Sequence, residues 1–569
     1  MKRRNSMWRK MLAGLLCLSM AAGTLATSVS AQDVSEPSFA QKISDRFADP
    51  EMDYKVETRW WLAEGSHTDE TLIESIHELY DAGIGAVEFV TLDESKYLDD
   101  ATYAWGSEEW IHDSHLIVEE CTKLGMGVSF TSGTNWATAN LVSITPDEQS
   151  ASQELGYMAV NVAAGESYSG ALPVVALPEG ATKMRLERVV AAKADGETDQ
   201  MTLLDEASLS DVTGLAKQDE NGTWMIDYTA PDDGDYILFA FWQYGTAENY
   251  KPSISTSYTI NYLSQTGVDA LIEYWEKNVL TEDLRELIRQ NGDVSLYMDS
   301  LELSARGINT TGRTWSEEYL QEFEARRGYD LSKYLPLIIS RDFYMNPSYS
   351  LTSDAELVQK ICDDVYQTHT ELYMENCLDP LRKWANSFGM TLRAENYGHV
   401  FELSQPIKSL DYVETESLEF FSEIDRYRGQ AGGAHLYDKL YSSETGALTI
   451  KNYWEDNNYH RQLFYTQFAS GIQRTILHGY SAAYGPEQNV SWPGYEGMSP
   501  MMGSRYSKRQ PNSVDYPDLY AHLARIQKVL RQGTIQMDLG ILRSDYHYDN
   551  LYWTEIKPYD QNNLRQHKG

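Results

Sequence analysis

Short apolar runs alternate with segments of helical period along most of the chain. Arg59-Trp60-Trp61-Leu62 reads as a strand, followed by a helix from about Thr68 to Ala82 with Leu72, Ile73, Ile76, Leu79 and Tyr80 on one face and Gly83 as its stop. Gly85 to Val90 (GAVEFV) follows as a second strand. A helix from about Ser107 to Leu124, ended by Gly125, then leads to a third strand, Gly127 to Thr131. Strand, helix and strand in this rhythm predict parallel βα units.

The rhythm breaks from about Ser143 to Tyr262. Short alternating segments such as Tyr236 to Trp242 (YILFAFW) and turns such as Pro231-Asp232-Asp233-Gly234 predict an inserted β-sandwich-like module there. A helical pattern returns at Val268 to Gln290 and leads to a fourth strand, Val294 to Met298. A long helical stretch, Asp354 to Ser387, precedes a fifth strand, Thr391 to Ala394. Ser409 to Val413, Lys439 to Ser443 and Thr475 to Leu477 complete the set, with helices at about Asn458 to Gln473 and Pro517 to Gln532. The expected fold class is α/β: a (β/α)₈ TIM barrel, interrupted once. Its parts are residues 32–142 and 263–535, with the inserted module at 143–262. Residues 536–569, including Met537 to Leu542 (MDLGIL), read as the start of an incomplete C-terminal β region, so that the chain is expected to be truncated before further β domains.

Lys2, Arg3, Arg4, Arg9 and Lys10 precede an apolar run from Met11 to about Leu25 and the tripeptide Val29-Ser30-Ala31. This order predicts a signal peptide over residues 1–31 and a secreted, cell-surface or periplasmic protein. The apolar run falls short of the roughly 20 residues of a membrane span. A net charge of −38 excludes nucleic acid as the partner, because phosphate-backbone binders present basic faces. Cys121, Cys362 and Cys377, without CxxC spacing, suggest neither a disulfide framework nor a zinc site.

Acidic residues stand at the carboxyl ends of four consecutive expected strands: Asp299 and Glu302, then Glu395, then Glu414 and Glu416, then Glu444. In a TIM barrel these ends face one shared mouth. A carboxylate after a strand can also cap a helix or face water, but four in register point to shared chemistry. Glycosidic bonds are cleaved by two carboxyl groups, one protonated to release the leaving oxygen and one ionised to activate water or attack the sugar. Crowded carboxylates push one another's pKa values apart and supply both forms. His478, after the eighth strand, can contact a sugar hydroxyl or pack in the barrel. Trp136, Trp454 and Trp492, in loop-like segments, can stack on sugar rings or fill the core. Thr314-Trp315-Ser316-Glu317 reads as a capping box opening a helix to Arg327, which gives Glu317 a structural role. Inverting hydrolysis, retaining hydrolysis and glycan binding without catalysis all remain compatible with this pattern.

Several of these segments resemble glycoside hydrolase family 106, the α-L-rhamnosidase-like enzymes. They are Arg59-Trp60-Trp61, Ala82 to Glu88 (AGIGAVE), Asp299-Ser300-Leu301-Glu302, Phe323 to Tyr329 (FEARRGY), Leu335-Pro336, Arg393 to Gly398 (RAENYG), Ser443-Glu444-Thr445 and Arg525 to Gly533 (RIQKVLRQG). The opening Trp-Trp-Leu-Ala-Glu-Gly departs from the family's Trp-Trp-Trp-Pro-Gly. The resemblance implies an inverting exo-acting hydrolase of oligosaccharides or polysaccharides, with Glu302 as general acid and Glu444 as general base. It also implies Asp299 as a supporting acid and a Ca²⁺ ion near the sugar hydroxyls. Glu395, Glu414, His478, Trp136 and Trp454, from their places at strand ends and in loops, are expected to contact the substrate, and no organic cofactor is expected.

Overall fold

A computed structural model describes residues 38–63, 68–92, 105–133, 139–249, 256–301, 303, 313–340, 347–397, 401–420, 424–447, 456–481, 506, 508, 510–533, 535–536 and 548–549. The signal segment, Glu302, Trp136, Trp454, Trp492 and Met537 to Leu542 lie outside the described residues. Phe39–Ser44 is a short helix whose start is capped by Ser38 and Gln41. It belongs to a separate unit, Met1–Asp45.

In the main unit eight parallel strands close into a barrel. They are β1 (Val56–Ala63), β2 (Ile84–Leu92), β3 (Gly127–Thr131), β4 (Val294–Met298), β5 (Met390–Glu395), β6 (Tyr412–Glu416), β7 (Leu440–Thr445) and β8 (Arg474–Ser481). β8 pairs back onto β1, so the sheet has no edge. The two-residue period of a strand sorts its side chains between two environments. In β1, Val56, Trp60 and Leu62 join the apolar cluster with Leu72 and Ile76 of the first helix, whereas Glu57 and Arg59 meet charged partners from across the barrel.

Helix α1 (Asp69–Ala82) opens on the Thr68 side chain and buries Leu72, Ile76 and Leu79. It stops at Gly83, whose φ of +95° favours glycine. Helix α2 (Glu108–Leu124) opens on Ser107 and buries Ile117, Val118 and Cys121. These ends reproduce the expected βα rhythm because each cap satisfies backbone groups the helix leaves open.

Mainly between β3 and β4, with two short strands added after β4, the chain builds a two-layered β module. One layer pairs Ser167–Ala171, Trp224–Thr229 and Lys217–Gln218; the other runs in the order 313–315, 153–162, 236–245, 184–197, 202–204, 349–351. Leu238, Ala240 and Trp242 pack with Val189, Ala191 and Ile226 in the core between the layers. Ile237, Phe239 and Phe241, on the opposite face of the same strand, join the main core. Burial on both faces accounts for the unbroken apolar run YILFAFW.

Three expectations shift. The Thr314–Glu317 segment does not open a helix: Arg313–Trp315 is a strand paired to Gln153–Leu155, and the helix is Tyr319–Arg327. Satisfying a sheet edge and burying Trp315 completely outweigh a local cap. With Tyr349–Leu351, this strand also carries the module's sheet beyond residues 143–262. The sixth strand is Tyr412–Glu416 rather than Ser409 to Val413, because Gln405–Ser409 forms a short helix opened by Pro406. The stretch Val268 to Gln290 is split: helices Gln265–Tyr274 and Glu282–Asn291 flank a wider turn, Trp275–Val279. Tyr548–Asp549 pairs antiparallel with Phe401–Glu402. Among the described residues no helix is long and apolar enough to cross a membrane.

Candidate active site

The strand ends deliver a compact charged cluster. Asp299 follows β4, Glu395 ends β5, Glu444 lies in β7, and a carboxylate oxygen from each lies within 4.8 Å of the other two. All three side chains are buried. Arg59, from β1, reaches two of them: Nη1 is 2.5 Å from Glu444 Oε2 and 3.1 Å from Asp299 Oδ2. Asp299 Oδ1 accepts the Ser300 backbone N–H at 2.7 Å. His478 Nε2 lies 3.7 Å from Glu444 Oε1, and its ring stands edge-on to Trp61 at 4.6 Å between centroids. Among the described residues, neither Glu395 oxygen meets a hydrogen-bond donor.

A second layer of charge lies deeper. Arg59 Nε is 3.0 Å from Glu88 Oε1, and Arg59 donates to the Tyr297 hydroxyl. Arg393 binds Glu414 at 2.6 Å, Glu57 at 3.1 Å and also Glu88. Arg474 holds the other Glu57 oxygen at 2.8 Å. The guanidinium carbons of Arg59 and Arg393 lie 4.7 and 4.6 Å from the Tyr297 ring centroid. Three arginines therefore face Glu57, Glu88, Asp299, Glu395, Glu414 and Glu444, and Glu416 adds its charge beside Glu395. Full ionisation of all these carboxyls would leave a net negative charge in a buried space.

Burial accordingly pushes the Glu444 carboxyl up to about 8, against the opposing pull of Arg59 and with Asp299, Glu414 and Glu88 adding to the rise. Glu88 is pushed up to about 7, again by burial first. Glu395 is held well above the carboxylate range by burial and by Asp299, Glu416 and Glu444. Glu57 goes the other way, because Arg393 and Arg474 outweigh its burial.

Of the residues expected at the site, Asp299, Glu395, Glu444 and His478 come together. Glu414 lies deeper in the barrel: it is fully buried, engaged by Arg393 and accepting a hydrogen bond from Ser442 at 2.7 Å. Glu416, two residues on, shares its side of the strand and acts electrostatically on Glu395. Glu302, Trp136 and Trp454 lie outside the described residues, though Leu301 and Leu303 on either side of Glu302 are buried. Sequence reasoning missed Arg59, Glu88 and Arg393 as members of the cluster. Their signal was a charge at alternate positions of otherwise apolar parallel strands, as in Glu57-Thr58-Arg59.

The sequence profile of glycoside hydrolase family 106, described as alpha-L-rhamnosidase, matches residues 186–558. A solved rhamnosidase from Novosphingobium sp. PP1Y superposes with a TM-score of 0.62 over 88% of this chain and 61% of its own, at 14% identity. At that identity the likeness shows the fold. A curated Formosa agariphila protein, provisionally named a beta-glucuronidase, is 20% identical over 473 residues, 77% of this chain and 38% of its own. The chain thus spans under two fifths of that relative's length and about three fifths of the rhamnosidase.

Proposed function

Because the chain belongs to glycoside hydrolase family 106, the α-L-rhamnosidase family, we propose that it is an exported hydrolase that removes terminal α-L-rhamnose from glycans with inversion. The observation that carries this reading is Glu444, held at the barrel mouth by Arg59 beside Asp299 and Glu395. Glu444 is the general base. It takes a proton from the water whose oxygen bonds to the anomeric carbon. Glu302, by resemblance to the family, gives its proton to the glycosidic oxygen as the bond from that oxygen to the anomeric carbon breaks. His478 and Trp61 line the side of the base and contact the sugar.

Calcium fits the chemistry of the cluster. Its ligand oxygens sit at about 2.3–2.6 Å, so oxygens sharing one ion lie within roughly 5 Å of each other. The trio meets that limit, and Glu395 has two buried oxygens with no donor among the described residues. Asp299 and Glu395 would hold the ion, and its charge, when bound, would help keep Glu444 ionised. Glucuronide cleavage, suggested by the Formosa relative's name, is the less favoured substrate reading. A uronate would bring another carboxylate to a mouth that is already acidic.

Release of p-nitrophenol from α-L-rhamnoside and β-D-glucuronide, with NMR detection of the anomer first formed, tests this. The expected result is rhamnoside cleavage giving the β-anomer, with Glu444→Gln slower on the order of 10²–10⁴-fold. Retention of the α-configuration would sink the inverting mechanism. Cleavage of the glucuronide alone would sink the substrate, and an unimpaired Glu444→Gln the base.

A further inference from the structure

Arg59 is a cation placed where two acidic residues at the mouth could otherwise move independently. Its side chain is fixed from below by Glu88 at 3.0 Å and by the Tyr297 hydroxyl, and it lies against the Tyr297 ring. Its backbone is covered by β8: a Cβ at Gly479 would lie 2.8 Å from the Arg59 carbonyl oxygen and 2.9 Å from the Trp61 ring. An anchored guanidinium of this kind presents its remaining donors in a fixed plane. Nη1 is spent on Glu444 Oε2 and Asp299 Oδ2 together.

We infer that Arg59 is a positioning residue: it fixes one oxygen of Glu444 and one of Asp299, so that Oε1 of Glu444, on the His478 side, is the atom left to accept the proton. The inference rests on the hydrolase reading for its chemistry and on geometry alone for the placement. A deep arginine serving only the fold would be satisfied by Glu88 and Tyr297. Here Nη1 bridges two side chains, from β7 and from the turn after β4, that are separated by two strands of the barrel. Freed from that bridge, Glu444 can turn Oε2 toward the mouth or rotate away, and the alignment of base and water is lost.

The test compares Arg59→Met and Arg59→Lys with the unaltered protein, per folded molecule as judged by circular dichroism. For Arg59→Met the expected result is a kcat lower by about 10²-fold with KM little changed, as misplacement of a reacting group produces. Lysine, which supplies a point charge rather than a fork, should restore part of the rate, and millimolar guanidinium should restore part of it in the methionine variant. Crystal structures of the unaltered protein and of Arg59→Met form the second arm, with the Glu444 and Asp299 carboxyl groups expected to shift. A folded Arg59→Met that turns over at the unaltered rate, or carboxyl groups that stay in place, would overturn the inference. If the unaltered protein is silent on every glycoside, the hydrolase reading fails, and the crystallographic arm still decides whether Arg59 sets the placement.

Discussion

Both oxygens of the buried Glu395 carboxyl lack a hydrogen-bond donor among the described residues. A buried carboxyl without donors is unfavourable unless it is protonated or meets a cation. Its replacement by glutamine keeps the shape and removes the charge, so it separates cation binding from packing. In the unaltered protein, calcium at about 100 times its dissociation constant should add roughly 2.7 kcal/mol of stability. In Glu395→Gln that calcium-dependent rise in melting temperature should largely vanish while the calcium-free melting temperature stays level or increases. An undiminished calcium shift in the variant would remove Glu395 from the ion site. Asp299, Glu395 and Glu444 were legible in the sequence because each follows an apolar strand run. Glu414 and Glu416 share one side of β6, and sequence does not say which of the two is engaged by the deeper arginines. The role of Arg59 is not visible in the sequence, since its partners Glu88, Asp299 and Glu444 are brought to it only by barrel closure.

At the level of elements, the junction of β1 with β8 matters most for the site. Gly479 permits that approach, for a methyl there would meet the Arg59 carbonyl and the Trp61 ring inside normal contact distance. Gly479→Ala should therefore push β8 from β1, disturbing Arg59, Trp61 and His478 at once. A displacement near 1 Å costs about 10²-fold in rate. Gly214→Ala, where nothing lies within 4 Å, is the control and should leave turnover unchanged. Equal rates for both variants would show that the junction yields without consequence. Period and capping signals made α1, α2 and the first five strands readable to within a few residues. In the Thr314–Glu317 segment the local signal, a cap, competes with a partner strand at Gln153–Leu155 that is remote in sequence, and the strand wins. The apolar run at Tyr236 marked a strand, but its double burial becomes visible only when both packed faces are known.

The whole molecule folds around buried ionisable groups, so its stability depends on pH through more than one of them. His369 is fully buried in the helix Ala355–Tyr373, with Nε2 2.9 Å from the Thr314 carbonyl oxygen and Nδ1 2.9 Å from the Tyr319 hydroxyl. It thus joins the helix to the strand that extends the β module. Burial, with Arg313 nearby, pushes its pKa down to about 4. The unfolded chain takes up this proton below about pH 6.5 and the folded protein only below about 4, so between these values the unfolded state binds more protons. Stability from this group is thus complete above about pH 6.5 and falls as the solution is acidified toward 4, by on the order of 3 kcal/mol. Glu88, raised to about 7, acts in the opposite sense, favouring the folded state at low pH and losing that contribution as pH rises through 7. The two slopes oppose each other in the unaltered protein, which hides each in a simple pH profile. Comparison with His369→Gln isolates the first, because Glu88 is common to both proteins and the hydrogen bonds lost with the imidazole are lost at every pH. The advantage of the unaltered protein over the variant in urea unfolding should shrink by about 3 kcal/mol between pH 7 and pH 4. A difference that stays constant across that range would mean that the imidazole titrates alike in the folded and unfolded chain, and that acid weakens this junction through other groups.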